Sequence, residues 1–100
     1  MKLGFTFLGN LDPKKFASEP NRQRACNMLG GMFLKQAEPF IEGEVKLLHS
    51  CDSGGALISL QCVFRDVQPE YLLKMNAYCE EVLKAINNLK QSAIEGQQSI

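Results

Sequence analysis

The chain has 100 residues, 45% of them apolar, with eleven basic and eleven acidic side chains and a formal net charge of zero. A domain of this size removes roughly two-thirds of its extended surface from water on folding, so it needs no metal or disulfide staple, and the apolar content argues against extensive disorder. The missing basic excess argues against a protein living on nucleic-acid phosphates, and near-zero charge favours self-association.

In chain order, Leu3, Phe5 and Phe7 alternate with Gly4, Thr6 and Leu8, which predicts a strand ended by Gly9-Asn10. Asp12 before Pro13 is a helix-start signal for a short turn over 13–17. A helix then runs from about Pro20 to residue 38, with Ser18 as its cap. Its apolar stripe is Ala25, Met28, Leu29, Met32 and Phe33, widened by Cys26 and Ala37. Gly30-Gly31 in its middle costs about 2 kcal/mol relative to alanines. The pair predicts a kink, a split or the close approach of some other group to the helix backbone.

Val45, Leu47, His49 and Cys51 form one alternating set, and Ile58, Leu60, Cys62 and Phe64 another. Asp52-Ser53-Gly54-Gly55 between them predicts a hairpin. A two-residue Gly54-Gly55 turn, or any loop of even length, places both sets on one face, whereas an odd loop mixes the faces. Pro69 opens the second helix, which runs to about Gln91 with Leu72, Met75, Cys79, Val82, Leu83, Ile86 and Leu89 on one arc. Residues 1–91 therefore read as a single domain and 92–100 as a flexible C-terminal tail. The fold class is α+β. It is a two-layer sandwich in β-α-β-β-α order, with a small mixed or antiparallel three-stranded sheet and two helices on one face.

Four cysteines, at 26, 51, 62 and 79, make no C-x-x-C pair and read as free thiols in a reducing compartment, the cytoplasm. The run Leu3–Leu8 is too short and too interrupted for a signal-peptide core, and no run approaches membrane-spanning length.

His49 and Cys51 are the weak catalytic candidates. At strand spacing they share a face, but no carboxylate or amide stands nearby to orient the ring. His49, Cys51, Cys62 and Cys79 face one layer, yet the expected register separates them too far for one tetrahedral ion, so no metal is assigned. Gly9-Asn10-Leu11-Asp12 lacks phosphate-loop spacing, and no cofactor is implied. Lys14, Lys15, Arg22 and Arg24 form the one basic patch, without aromatic platforms for nucleic acid.

Two features favour an interaction surface. On a helical wheel Leu34 lies away from Ala25 and Met32, above the row Cys26, Gly30, Leu34. Small residues beneath it, with Gly31 alongside, would let a partner approach. Tyr71, Tyr78 and Ala85 recur at the margin of the second helix, where tyrosines suit a half-wet interface. The first expectation is accordingly a small non-enzymatic protein-interaction module: a homodimer, or an adaptor or inhibitor of another protein. A domain binding a small apolar ligand between sheet and helices is the alternative. A cysteine/histidine-dependent enzyme ranks third.

Overall fold

A computed structural model describes residues 1–90. The order is β1 (Lys2–Leu11), α1 (Glu19–Ala37), a 3-10 turn (Glu38–Phe40), β2 (Ile41–Asp52), β3 (Gly55–Arg65) and α2 (Pro69–Asn87). The boundary expected at 91 and the tail expected over 92–100 lie outside the described residues.

The fold is α+β, as the alternation and the helical stripes require. The sheet order is β1-β3-β2, with β3 antiparallel to both neighbours. β1 and β2 therefore run in the same direction, joined by a crossover through α1, and β3 fills the place between them. Along β3 every second residue from Ala56 to Phe64 is buried, as are Phe5, Phe7 and Leu11 of β1. Both helices pack on that face. α1 lies mainly over β2 and α2 over β1.

The hairpin keeps the expected parity but not the expected turn. Asp52 pairs with Gly55, so Ser53-Gly54 is the two-residue turn, and Leu47 lies opposite Leu60 rather than Cys62. The cause is local. The Asp52 carboxylate accepts the Gly54 N–H at 2.7 Å, and Gly55 supplies a φ of 126°. The two-residue shift from the Gly54-Gly55 register leaves every side chain on its expected face.

β1 continues through Gly9-Asn10, which had been expected to break it. Leu11 is buried and pairs with Ala56, which draws the strand onward. Gly9 lets α2 pack close there, since a Cβ would run into the Leu83 side chain. β2 begins four residues earlier than the alternation suggests, because the register slips between Glu42 and Lys46. Gly43, at φ 79°, takes up that slip.

Ser18 caps α1, its hydroxyl accepting the Asn21 N–H. The helix runs unbroken through Gly30-Gly31, so the kink is absent. The close approach is real but intramolecular: a Cβ on Gly30 would lie 2.5 Å from Leu47 Cδ1 of β2. α2 stops at Asn87, short of the expected Gln91, and Asn88 closes it by donating its N–H to the Lys84 carbonyl at 3.1 Å.

At the centre Phe5, Phe33 and Phe64 lie with ring centroids 5.5 to 6.0 Å apart. Phe16, read only as part of a turn, is fully buried. The Asp12 carbonyl accepts both the Lys15 and Phe16 N–H groups, folding that turn inward. The space between sheet and helices is thus filled by aromatic and branched side chains.

Candidate functional site

α1 and α2 lie side by side on the sheet, and their outward flanks leave a groove of about 600 Å³. Met28, Gly31 and Met32 form the α1 wall, one step around the helix from Leu29 and Phe33, which point into the core. Val82, Ala85, Ile86 and Leu89 form the α2 wall. Asn27, Lys35 and Glu81 complete the lining with polar groups. Gly31 and Ala85 hold the groove open, and a Cβ on Gly31 would meet nothing within 4 Å. The Tyr78 hydroxyl ties the two helices together, donating to the Met32 carbonyl at 3.2 Å.

The face of the sheet away from the helices carries a second apolar group. Leu8, Ser59 and Leu48 form one cross-strand row, and Asn10, Leu57 and Ser50 form the next. Leu8 is 71% exposed, Leu48 62% and Leu57 41%. Three leucines therefore surround the small Ser59 on a surface open to solvent.

The residues singled out from the sequence fall in several places. Cys26 and Gly30 are buried inside the protein, and Gly30 is covered by Leu47. The row Cys26-Gly30-Leu34 is thus packed by the chain's own β2, and a partner cannot reach its small residues. Leu34 itself borders a surface notch with Ile41, Gly43 and Val45. Tyr71 is half-buried and sets its edge against Phe64 at 5.3 Å, with Phe40 at 5.5 Å on its other side. Of the expected set only Gly31 and Ala85 line the apolar groove. Met28, Met32, Val82, Ile86 and Leu89 read from the sequence as core stripe; Val82 and Ile86 are core, while Met28, Met32 and Leu89 are partly exposed along the groove.

The basic patch is largely consumed internally. Lys15 Nζ donates to the Asn87 carbonyl at 2.7 Å, where a cation is favoured by the carbonyl end of α2. Arg22 donates to the carbonyls of Phe16 and Ala17 at 3.2 and 2.6 Å, and Arg24 donates to the Asn21 side chain. Lys14 remains exposed. Asn21, the one buried polar side chain among the described residues, also donates to the Lys15 carbonyl at 3.2 Å. These groups hold the segment between β1 and α1 in place.

Comparison with family models, curated proteins and solved structures found no match for this chain.

His49 sits at the edge of the core with both ring nitrogens engaged by α1. Arg22 Nε lies 3.3 Å from Nδ1, and Gln23 Oε1 lies 3.3 Å from Nε2. A guanidinium can only donate, so Nδ1 is the acceptor and Nε2 carries the hydrogen. That ring has no free nitrogen with which to activate Cys51. Cys51 is exposed, whereas Cys26, Cys62 and Cys79 are buried. Burial raises the Cys26 thiol and pushes Cys62 up to about 11. Cys79 is pushed up to about 12, first by burial and then by the neighbouring Cys62. Such thiols stay protonated and poorly nucleophilic at neutral pH. Among the described residues no three His, Cys, Asp or Glu side chains converge on a metal position. None of the described helices is long and apolar enough to cross a membrane.

Proposed function

We propose that this chain is a small non-enzymatic interaction module, whose α1–α2 groove receives an apolar helical segment of another protein. The observation that carries the reading is the apolar lining: Met28, Met32, Ala85 and Leu89 line an open groove together with the buried core residues Val82 and Ile86. A third helix laid along two parallel walls buries its own stripe without disturbing the sheet. Two methionines suit such a surface, because the unbranched thioether adapts to differently shaped partners. The four free thiols fit a reducing compartment, so we place the module in the cytoplasm.

The test is affinity capture from the native host with wild-type chain and with Met32→Glu and Ala85→Glu, each checked for fold by circular dichroism. A partner held by the wild type and released by both variants supports the reading. A partner retained by both removes the groove from it.

The groove's volume also suits a small apolar ligand, since such sites span about 300–1,000 Å³. This second reading moves the site expected between sheet and helices to the outer side of the helices. Native mass spectrometry of purified protein discriminates the two: a co-purifying small molecule lost on Ala85→Glu favours the ligand.

A further inference from the structure

We infer that the open face of the sheet is a self-association surface, and that its occupant is a second copy of this chain. The inference uses a different surface from the groove and stands independently of it. Three of the exposed large apolar side chains, Leu8, Leu48 and Leu57, gather at the hairpin end of this face. Their arrangement is self-complementary. Leu57 projects from the central strand. Ser59, one row away on the same strand, is a small residue between the larger Leu8 and Leu48, so side-chain size alone makes it the hollow of this face.

Consider a twofold axis running across the strands between these two rows. It sets each Leu57 over Ser59 of the second copy, between that copy's Leu8 and Leu48. Knob and hollow are matched twice by one operation, as an isologous interface requires. The same axis places the Lys46/Gln61 row over the Asp52/Gly55 row of the second copy. Lys46 and Asp52 lie on this face by strand alternation, and both are exposed. Each Lys46 therefore meets an Asp52 of the other copy, so the rim is paired by charge while the centre is apolar. With zero formal net charge, no long-range repulsion opposes the encounter.

Three strands at their usual spacing give a footprint of only a few hundred Å² per copy, at the low end for specific interfaces. The expected dimer is accordingly weak, with a dissociation constant on the order of 100 µM.

Sedimentation equilibrium of the full chain, from roughly ten micromolar to one millimolar, tests this. The expected result is a concentration-dependent monomer–dimer equilibrium. Leu57→Glu and Ser59→Leu should each weaken it at least tenfold, the first by removing the knob and the second by filling the hollow. Lys46→Asp should weaken it less. A chain monomeric throughout the range overturns the inference. So does a dimer indifferent to Leu57→Glu and Ser59→Leu, and one abolished instead by Met32→Glu would move self-association to the groove.

Discussion

Adjacent residues of α1 serve two different regions of the molecule. Gly30 and Phe33 face the filled layer between helices and sheet, whereas Gly31 and Met32 face the groove between the helices. In the first region a missing side chain is replaced by a neighbour's: Leu47 lies where a Gly30 side chain would be. In the second nothing replaces it, and the space stays open. The contrast separates residues kept by packing from residues left at an open surface, on one helix and within four positions.

The strongest way to break this contrast is to truncate one residue on each side. Phe33→Ala removes a fully buried ring from the Phe5–Phe33–Phe64 group and should cost about 3–5 kcal/mol. Met32 is 43% exposed, and Met32→Ala should cost about 1 kcal/mol or less. Urea denaturation of both variants checks the pair. Comparable losses would mean that the groove wall is part of the core.

The cysteines extend the comparison to pH. Burial pushes the Cys62 thiol from the ordinary value of 9.0 up to about 11, and burial together with Cys62 pushes Cys79 up to about 12. Below pH 9 both folded and unfolded chains keep these protons, so the two thiols add no pH dependence. Above it the unfolded chain releases them while the folded chain holds them. The unfolded state then binds fewer protons, and stability falls as pH rises. The fall should continue to about pH 11 for Cys62 and about pH 12 for Cys79. Each thiol contributes a slope approaching about 1.4 kcal/mol per pH unit. Urea midpoints measured from pH 8 upward should show the decline, and Cys79→Ala should make it shallower. A disulfide-exchange reagent at neutral pH should meanwhile modify Cys51 quickly and the three buried thiols only on unfolding. Rapid modification of all four would contradict the closed interior.

Much of the closed region is legible in the sequence, because its signals are periodic. Alternation along 45–51 and 58–64 and the apolar arc of α2 depend on side-chain direction alone, and hairpin parity survived an error in the turn itself. The open region is harder to read for a physical reason. Met28 and Met32 share the stripe of Leu29 and Phe33, and a helical wheel cannot say where the sheet ends and solvent begins. The row Cys26-Gly30-Leu34 was assigned to a partner because small residues announce a close approach without naming what approaches. Only the crossing of β2 beneath α1 identifies it as Leu47. The extension of β1 past Gly9 likewise depends on Leu83, far along the chain. Asn87 adds to it, donating to the Asn10 carbonyl at 3.0 Å and accepting the Asp12 N–H at 2.9 Å.

The same substitution at the two neighbouring glycines of α1 tells its two sides apart. An alanine stabilises a helix interior by about 1 kcal/mol relative to glycine, so propensity alone favours Gly30→Ala and Gly31→Ala equally. At Gly31 the new methyl enters open space, and the full gain of about 1 kcal/mol should appear in the urea midpoint. At Gly30 the methyl would stand 2.5 Å from Leu47 Cδ1, so the leucine must turn aside and part of the gain is lost. Gly31→Ala should therefore be the more stable variant. It should also narrow the groove, so a partner that docks between the helices would bind a more stable protein less well. Such opposed changes would show that Gly31 is retained for contact rather than for folding. Equal stabilisation at the two positions would mean that Leu47 yields freely and that the two sides of α1 are not distinct.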